Sequence, residues 1–368
     1  MNWFTLPILT QKAKSFSLFR EARKTLLCFV FVSLIFSGCE TPISLKIPSM
    51  ENTKVIEGSI ENNKPAVVVI SKSLPYFSNV SVETILASID TNAIVKVSDD
   101  MGNTEQLQRL FYVDILKEYT SLLPDLLLDH SFMYFLISSV TPNPISVLSE
   151  NSLAIFTKLA TQKHFAYIGK NIKGIPGHHY SLYIESGGKI YTAQTEIPLN
   201  TVQVDSFAFY KRGNDTTASL RLFFTDSPAT RDCYRFFLKI DSLDWHYESI
   251  YMGAFDDLTF NGLSGSYEML RQPQANIGVS GMSREARENY YRATFKRGDI
   301  IYVKSTMTDK ATIDYWFPLQ TDIATGSNPF MTPGTYISNI KGENVTGIWS
   351  GYHARYDTLR FNASTILH

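Results

Sequence analysis

Few residues in this chain have the type and spacing to do chemistry, and the clearest is Cys39, which closes the string Leu34-Ile35-Phe36-Ser37-Gly38-Cys39. A thiol directly after small residues and an apolar run can take a diacylglycerol on its sulfur before a signal peptidase cuts the preceding bond. Lys12, Lys14, Arg20, Arg23 and Lys24 form a basic n-region ahead of the apolar stretch Thr25 to Phe36. That stretch has 12 residues, against about 20 for a membrane-spanning helix, so a cleaved signal is expected and not an anchor. Residues 1–38 therefore read as a lipoprotein signal peptide and residues 39–52 as a tether, with the membrane engaged through lipid on Cys39.

Asp256-Asp257-Leu258-Thr259-Phe260-Asn261-Gly262 concentrates oxygen donors in one short loop. Asp256, Asp257 and Asn261 are the candidate positions for a hard cation or a polar ligand. The favoured reading is a solvated turn capped by its own Asp and Asn side chains. His178-His179 are adjacent, and neighbours on a strand point to opposite faces, so they are assigned to the turn after Pro176-Gly177. No His-Glu-x-x-His, paired Cys-x-x-Cys or EF-hand spacing occurs, and no metal is assigned. Neither a Gly-x-Ser-x-Gly nucleophile motif nor a phosphate-binding glycine loop is present, so no catalytic residue and no cofactor is assigned. Cys233, the one unacylated cysteine expected after processing, has no partner for an intramolecular disulfide. Its aromatic setting, Cys233-Tyr234-Arg235-Phe236-Phe237-Leu238, reads as a strand with a buried, inert thiol.

The elements that would position these residues are mostly strands. Twenty-four Phe and 20 Tyr in a chain that is 44% hydrophobic favour pleated, half-buried surfaces. Lys54 to Ile60 alternates, halts at Glu61-Asn62-Asn63-Lys64-Pro65, and resumes as the apolar run Ala66 to Ser71, an antiparallel pair. Ala93 to Ser98 is a third strand, ended by the turn Asp99 to Asn103. Tyr180 to Glu185 and Lys189 to Gln194, split by Ser186-Gly187-Gly188, form a hairpin. Leu107, Leu110, Phe111, Ile115 and Tyr119 carry helical spacing, so residues 105–162 are expected as an insertion of short helices broken at Pro124 and Pro142-Asn143-Pro144. Strands return at Asp205 to Lys211, Ala218 to Thr225, Tyr234 to Ile240 and Phe295 to Lys304. Asp309 to Ile323 reads as a helix with Tyr315, Trp316 and Leu319 on one side. The expected fold is mainly β: an immunoglobulin-like β-sandwich over residues 53–198, with its helical insertion, then a second β-rich domain over residues 199–368 with a short helix.

Charge narrows the function classes. Residues 1–38 hold five Lys/Arg and one Glu, so the mature chain carries 29 basic against 34 acidic side chains, a net charge of about −5. A mildly acidic surface lacks the basic footprint that nucleic acid demands.

An ordered set of short motifs points to a family. Val55-Ile56-Glu57-Gly58 follows the lipobox, then come Asp99-Asp100-Met101-Gly102, the block Gly174 to Pro198, Phe255 to Gly262, Gly298-Asp299, Tyr315-Trp316, Asn328-Pro329-Phe330 and Ile337 to Gly342. In that order they resemble the Bacteroidetes DUF4249 family over nearly the whole mature chain. The resemblance implies a lipoprotein of the bacterial outer membrane, on a face the tether does not specify, often encoded beside TonB-dependent receptors. On this basis the expected function is non-enzymatic: an accessory or ligand-binding component of a TonB-dependent uptake system. The alternatives are an envelope hydrolase of carbohydrate or peptide, whose carboxylates at Asp256 and Asp257 converge only in the fold, and a structural envelope scaffold.

Overall fold

The computed structural model describes residues 53–73, 88–111, 165–212, 214–241, 247–271, 294–324, 335–362 and 366–367. The signal peptide, Cys39, the tether and residues 112–162 of the expected insertion lie outside them. The strands, in chain order, begin with β1 (Lys54–Glu61), β2 (Pro65–Lys72), β3 (Ile94–Asp99), β4 (Thr104–Gln106), β5 (Gln108–Phe111) and β6 (Phe165–Lys173). There follow β7 (His179–Ser186), β8 (Lys189–Glu196), β9 (Gln203–Arg212), β10 (Asn214–Thr225), β11 (Cys233–Ile240) and β12 (Glu248–Asp256). The last are β13 (Ser264–Met269), β14 (Phe295–Lys296), β15 (Ile300–Thr308), β16 (Val345–Arg360) and β17 (Ile366–Leu367), with helix α1 (Lys310–Ala324) between β15 and β16. The protein is mainly β.

One large sheet organises the molecule, in the order β12-β11-β15-β16-β1-β2-β6-β5. Its pairs are antiparallel except β1 with β16, which run parallel with Gly58 beside Trp349. A four-stranded sheet, β4-β3-β7-β8, and a five-stranded sheet, β13-β10-β9-β17 with β14 beside β10, complete the strands. Register shows how they stack. Tyr234, Met307 and His353 are aligned across β11, β15 and β16, and Trp349 is an even step from His353, so these side chains share one face of the large sheet.

That face carries two hydrophobic cores side by side. Ile56, Val68 and Ile70 pack with Val95, Leu182, Ile184 and Trp349 beneath the four-stranded sheet. Tyr234, Phe236, Leu238 and Val303 pack with Leu220, Leu222 and Phe224 beneath the five-stranded one. On the opposite face, Ile313, Tyr315 and Trp316 of α1 cover Cys233, Ala254 and Ile348. The sequence periods follow these environments. β7 alternates exposed and buried because one side meets solvent, whereas residues Pro65–Ser71 of β2 are buried on both sides and read as a continuous apolar run.

Trp349 joins the two layers. Its Nε1–H donates to the Tyr180 carbonyl of the four-stranded sheet at 3.1 Å, and Asn339 clasps its backbone through bonds of 2.7 and 2.9 Å. Gly58 makes room for the indole: a Cβ there would stand 2.7 Å from Trp349 Cε3. The helix starts where Asp309 Oδ1 accepts the Thr312 backbone N–H at 2.9 Å and the Thr312 hydroxyl at 2.6 Å, an ordinary N-cap.

Two expectations need correction. Residues 105–111 are not helical, because Thr104–Gln106 pairs with β3 and Gln108–Phe111 pairs with β6 in a different sheet. The chain changes sheets at Leu107, whose N–H still reaches the Val95 carbonyl at 2.8 Å, and that step mimics helical spacing. The division at residues 198/199 also fails to separate two bodies. The large sheet takes β1, β2, β5 and β6 from one side and β11, β12, β15 and β16 from the other, and Met50–His368 forms a single compact unit. Among the described residues, no helix is long and apolar enough to cross a membrane.

Candidate functional site

The loop named by Asp256, Asp257 and Asn261 joins β12 to β13, and it meets the loop between β10 and β11. Strand register makes the meeting unavoidable, since Cys233 at the start of β11 is directly opposite Asp256 at the end of β12. Asp232 and Asp257 therefore emerge side by side. They are tied by Asp232 N–H donating to Asp257 Oδ2 at 2.8 Å and Asp257 N–H donating to the Asp232 carbonyl at 3.0 Å. Asp226, at the end of β10, closes the group: its Oδ2 accepts the Gly262 N–H at 2.6 Å and its Oδ1 accepts the Tyr234 hydroxyl. Gly262 has φ +76°, and a Cβ on it would lie 2.8 Å from Pro228 Cβ, so the turn tolerates little else there.

The outcome is a cluster of three carboxylates with relative exposures of 1% for Asp226, 7% for Asp232 and 1% for Asp257. One carboxylate oxygen from each lies within 4.8 Å of the others. Their floor is aromatic. Tyr234 contacts Phe224 at 5.4 Å between ring centroids, Phe255 at 5.6 Å and Phe260 at 6.2 Å. Burial raises the Asp232 carboxyl above the ordinary aspartate range, and the neighbouring Asp226 and Asp257 charges add to the rise while a hydrogen bond with Thr230 opposes it. Burial also pushes the Tyr234 phenol up, reinforced by its bond to Asp226. Arg231, an exposed side chain, reaches Asp257 Oδ1 at 3.6 Å.

Asp256 and Asp257 diverge. Asp256 is half-buried and faces Lys310 at 3.9 Å, whereas Asp257 is in the buried cluster, so the adjacent pair does not converge on one reacting centre. Asn261 is partly buried, and its Oδ1 has no hydrogen-bond partner. Asp226 and Asp232 carry no local signal of a site, because Asp226-Ser227-Pro228 has the composition of an ordinary turn. The usable signal was the pairing of β11 with β12, which puts both loops at one end of the sheet.

Two further constellations complete the picture. His178 and His179 separate, with His178 Nδ1 2.7 Å from Asp100 Oδ1 and His179 Nδ1 3.7 Å from Glu196 Oε2. The bond to His178 holds Asp100 below the ordinary aspartate range. Charge is also buried on the helix-bearing face of the large sheet. Lys304 Nζ, 1% exposed, lies 2.9 Å from Glu61 Oε2, 5% exposed, and is 4.8 Å above the Phe237 ring. Beside it the Arg235 guanidinium stacks 3.9 Å from Trp316 and donates to the Tyr352 hydroxyl at 2.6 Å. Cys233 is buried, and desolvation, with Asp256 adding to it, pushes its thiol up to about 12, as an inert packing group requires.

The fold and its loops define a mainly β protein in which two small sheets share one large partner and present carboxylate-bearing and apolar loops. Within that class the chain belongs to the DUF4249 family, a domain of unknown function, which matches residues 40–358. No curated protein matches the chain.

Proposed function

We propose that this protein is a non-enzymatic lipoprotein of the bacterial outer membrane, tethered by lipid on Cys39, that serves a TonB-dependent uptake system as an accessory or ligand-binding component. The observation that carries the reading is a rigid, apolar loop end. Met101, Ile175 and Leu199 are exposed at the tips of the β3–β4, β6–β7 and β8–β9 connections. These connections are locked together: His178 bonds Asp100, Ile197 N–H donates to the His178 carbonyl at 3.0 Å, and Leu199 lies over Gly177. Apolar groups held on a preordered frame favour a protein partner, because little conformational entropy is lost on docking. In this reading the four-stranded sheet, with the strands of the large sheet that it covers, is an immunoglobulin-like recognition module and the receptor is the partner.

The anchor is tested by Cys39→Ala. Each buried methylene of an acyl chain contributes about 0.8 kcal/mol of bilayer affinity, so losing the lipid releases the protein while the sandwich keeps its own burial. The variant is expected in the soluble fraction with an unchanged circular dichroism spectrum. Retention in the membrane pellet through high salt and carbonate would overturn the lipoprotein reading.

A further inference from the structure

We infer that Asp226, Asp232 and Asp257 form a calcium site at the junction of the β10–β11 and β12–β13 loops. Clustering alone would not carry this. The second observation is that Asp232, 7% exposed, has an Oδ2 with no hydrogen-bond partner, and Asn261, in the turn that supplies Asp257, has an equally unpartnered Oδ1. A buried carboxylate oxygen and a buried amide oxygen left without donors are costly over an aromatic floor. A cation held by the three carboxylates supplies the partner that the Asp232 oxygen lacks.

Chemistry and spacing select the ion. Every donor is a hard oxygen, the set that calcium and magnesium take and zinc or copper do not prefer. Calcium binds oxygen at about 2.4 Å, so two ligands of one ion are at most about 4.8 Å apart. The three carboxylate oxygens lie within that span. Magnesium demands near-ideal octahedral order and gives up its waters reluctantly, whereas calcium accepts the irregular set that two loops supply. Charge agrees as well: three carboxylates against Arg231 leave two negative charges for a divalent ion to neutralise. The oxygens of Asp226 and Asp257 that already accept N–H or O–H bonds keep a second lone pair for the metal. No linear spacing announces the site, because its ligands are split between two loops that only strand pairing brings together.

The experiment is thermal unfolding and titration calorimetry on the full lipidated chain in detergent, in chelator and then at increasing calcium chloride to 10 mM. Wild type is expected to gain roughly 3 °C or more in Tm, reversed by chelator. Asp232→Asn keeps the side-chain shape and removes one of the three clustered charges. It is expected to fold, to melt in chelator no lower than wild type, and to lose the calcium shift. Absence of both heat and Tm shift in wild type at 10 mM calcium would overturn the site, as would an equal calcium response in Asp232→Asn. A larger shift with magnesium than with calcium would overturn the choice of ion.

Discussion

Replacing Glu61 by Gln should cost this protein about 3–5 kcal/mol, the range found when one partner of a buried ion pair is removed. Glu61 and Lys304 are 5% and 1% exposed, with 2.9 Å between Oε2 and Nζ, so the variant leaves an ammonium inside the sheet without its neutralising carboxylate. The rings of Phe237 and Tyr352, at 4.8 and 5.6 Å, offset only part of that charge. Burial alone would raise the Glu61 carboxyl, but Lys304 and Lys64, with the hydrogen bond from Tyr356, hold it below its ordinary value of 4.5. A depressed carboxylate stabilises the fold above its unfolded pKa, and that contribution disappears as pH falls through the folded one. The stability gap between wild type and Glu61→Gln should therefore be full at pH 7 and shrink in acid below about pH 4.5. Urea unfolding with unchanged m-values reads the difference directly. Glu61→Gln/Lys304→Met should be more stable than Glu61→Gln alone, because the second change removes the unneutralised charge. A cost under about 1 kcal/mol, or a double variant whose loss equals the sum of the singles, would mean that Glu61 does not neutralise Lys304 inside the sheet.

Three other outcomes follow from the packing. Gly58→Ala should lose about 1–3 kcal/mol, read as a lower urea midpoint, because its Cβ would stand 2.7 Å from Trp349 Cε3 and 3.1 Å from Val68 Cγ2. Trp349→Phe should cost about 1–3 kcal/mol, from the lost indole hydrogen bond to the Tyr180 carbonyl and the void the smaller ring leaves, measured the same way. Cys233, with its thiol pushed up to about 12, should resist alkylation at pH 8 in the folded protein and react once urea unfolds it, as peptide mapping would record.

How far the sequence revealed this molecule depended on whether the signal was local. The Tyr180–Gln194 hairpin was legible because Gly187 and Gly188 both take positive φ, 59° and 76°, the geometry of a two-residue turn. Helix α1 was legible from Tyr315, Trp316 and Leu319 on its buried side. The segment from Glu105 to Phe111 carries a misleading helical period because it serves two sheets, and the transfer at Leu107 breaks the two-residue period. Long-range pairing was invisible: nothing in Lys54–Glu61 announces a parallel partner in Val345–Arg360, yet that pair fuses the two halves of the chain into one sheet. The candidate site was half legible for the same reason. Asp257 and Asn261 stood out in one loop, while Asp226 and Asp232 joined them only through the pairing of β11 with β12.

Docking of the proposed apolar loop end on a membrane receptor can be read from co-purification. Wild type and Leu199→Asp would be isolated in parallel from detergent-solubilised membranes of the native host. The substitution is on an exposed side chain and leaves both cores intact. A TonB-dependent receptor should be recovered with wild type in near-stoichiometric amount and be lost with Leu199→Asp. A clean monomer in every wild-type preparation, or a receptor retained equally by the variant, would contradict it.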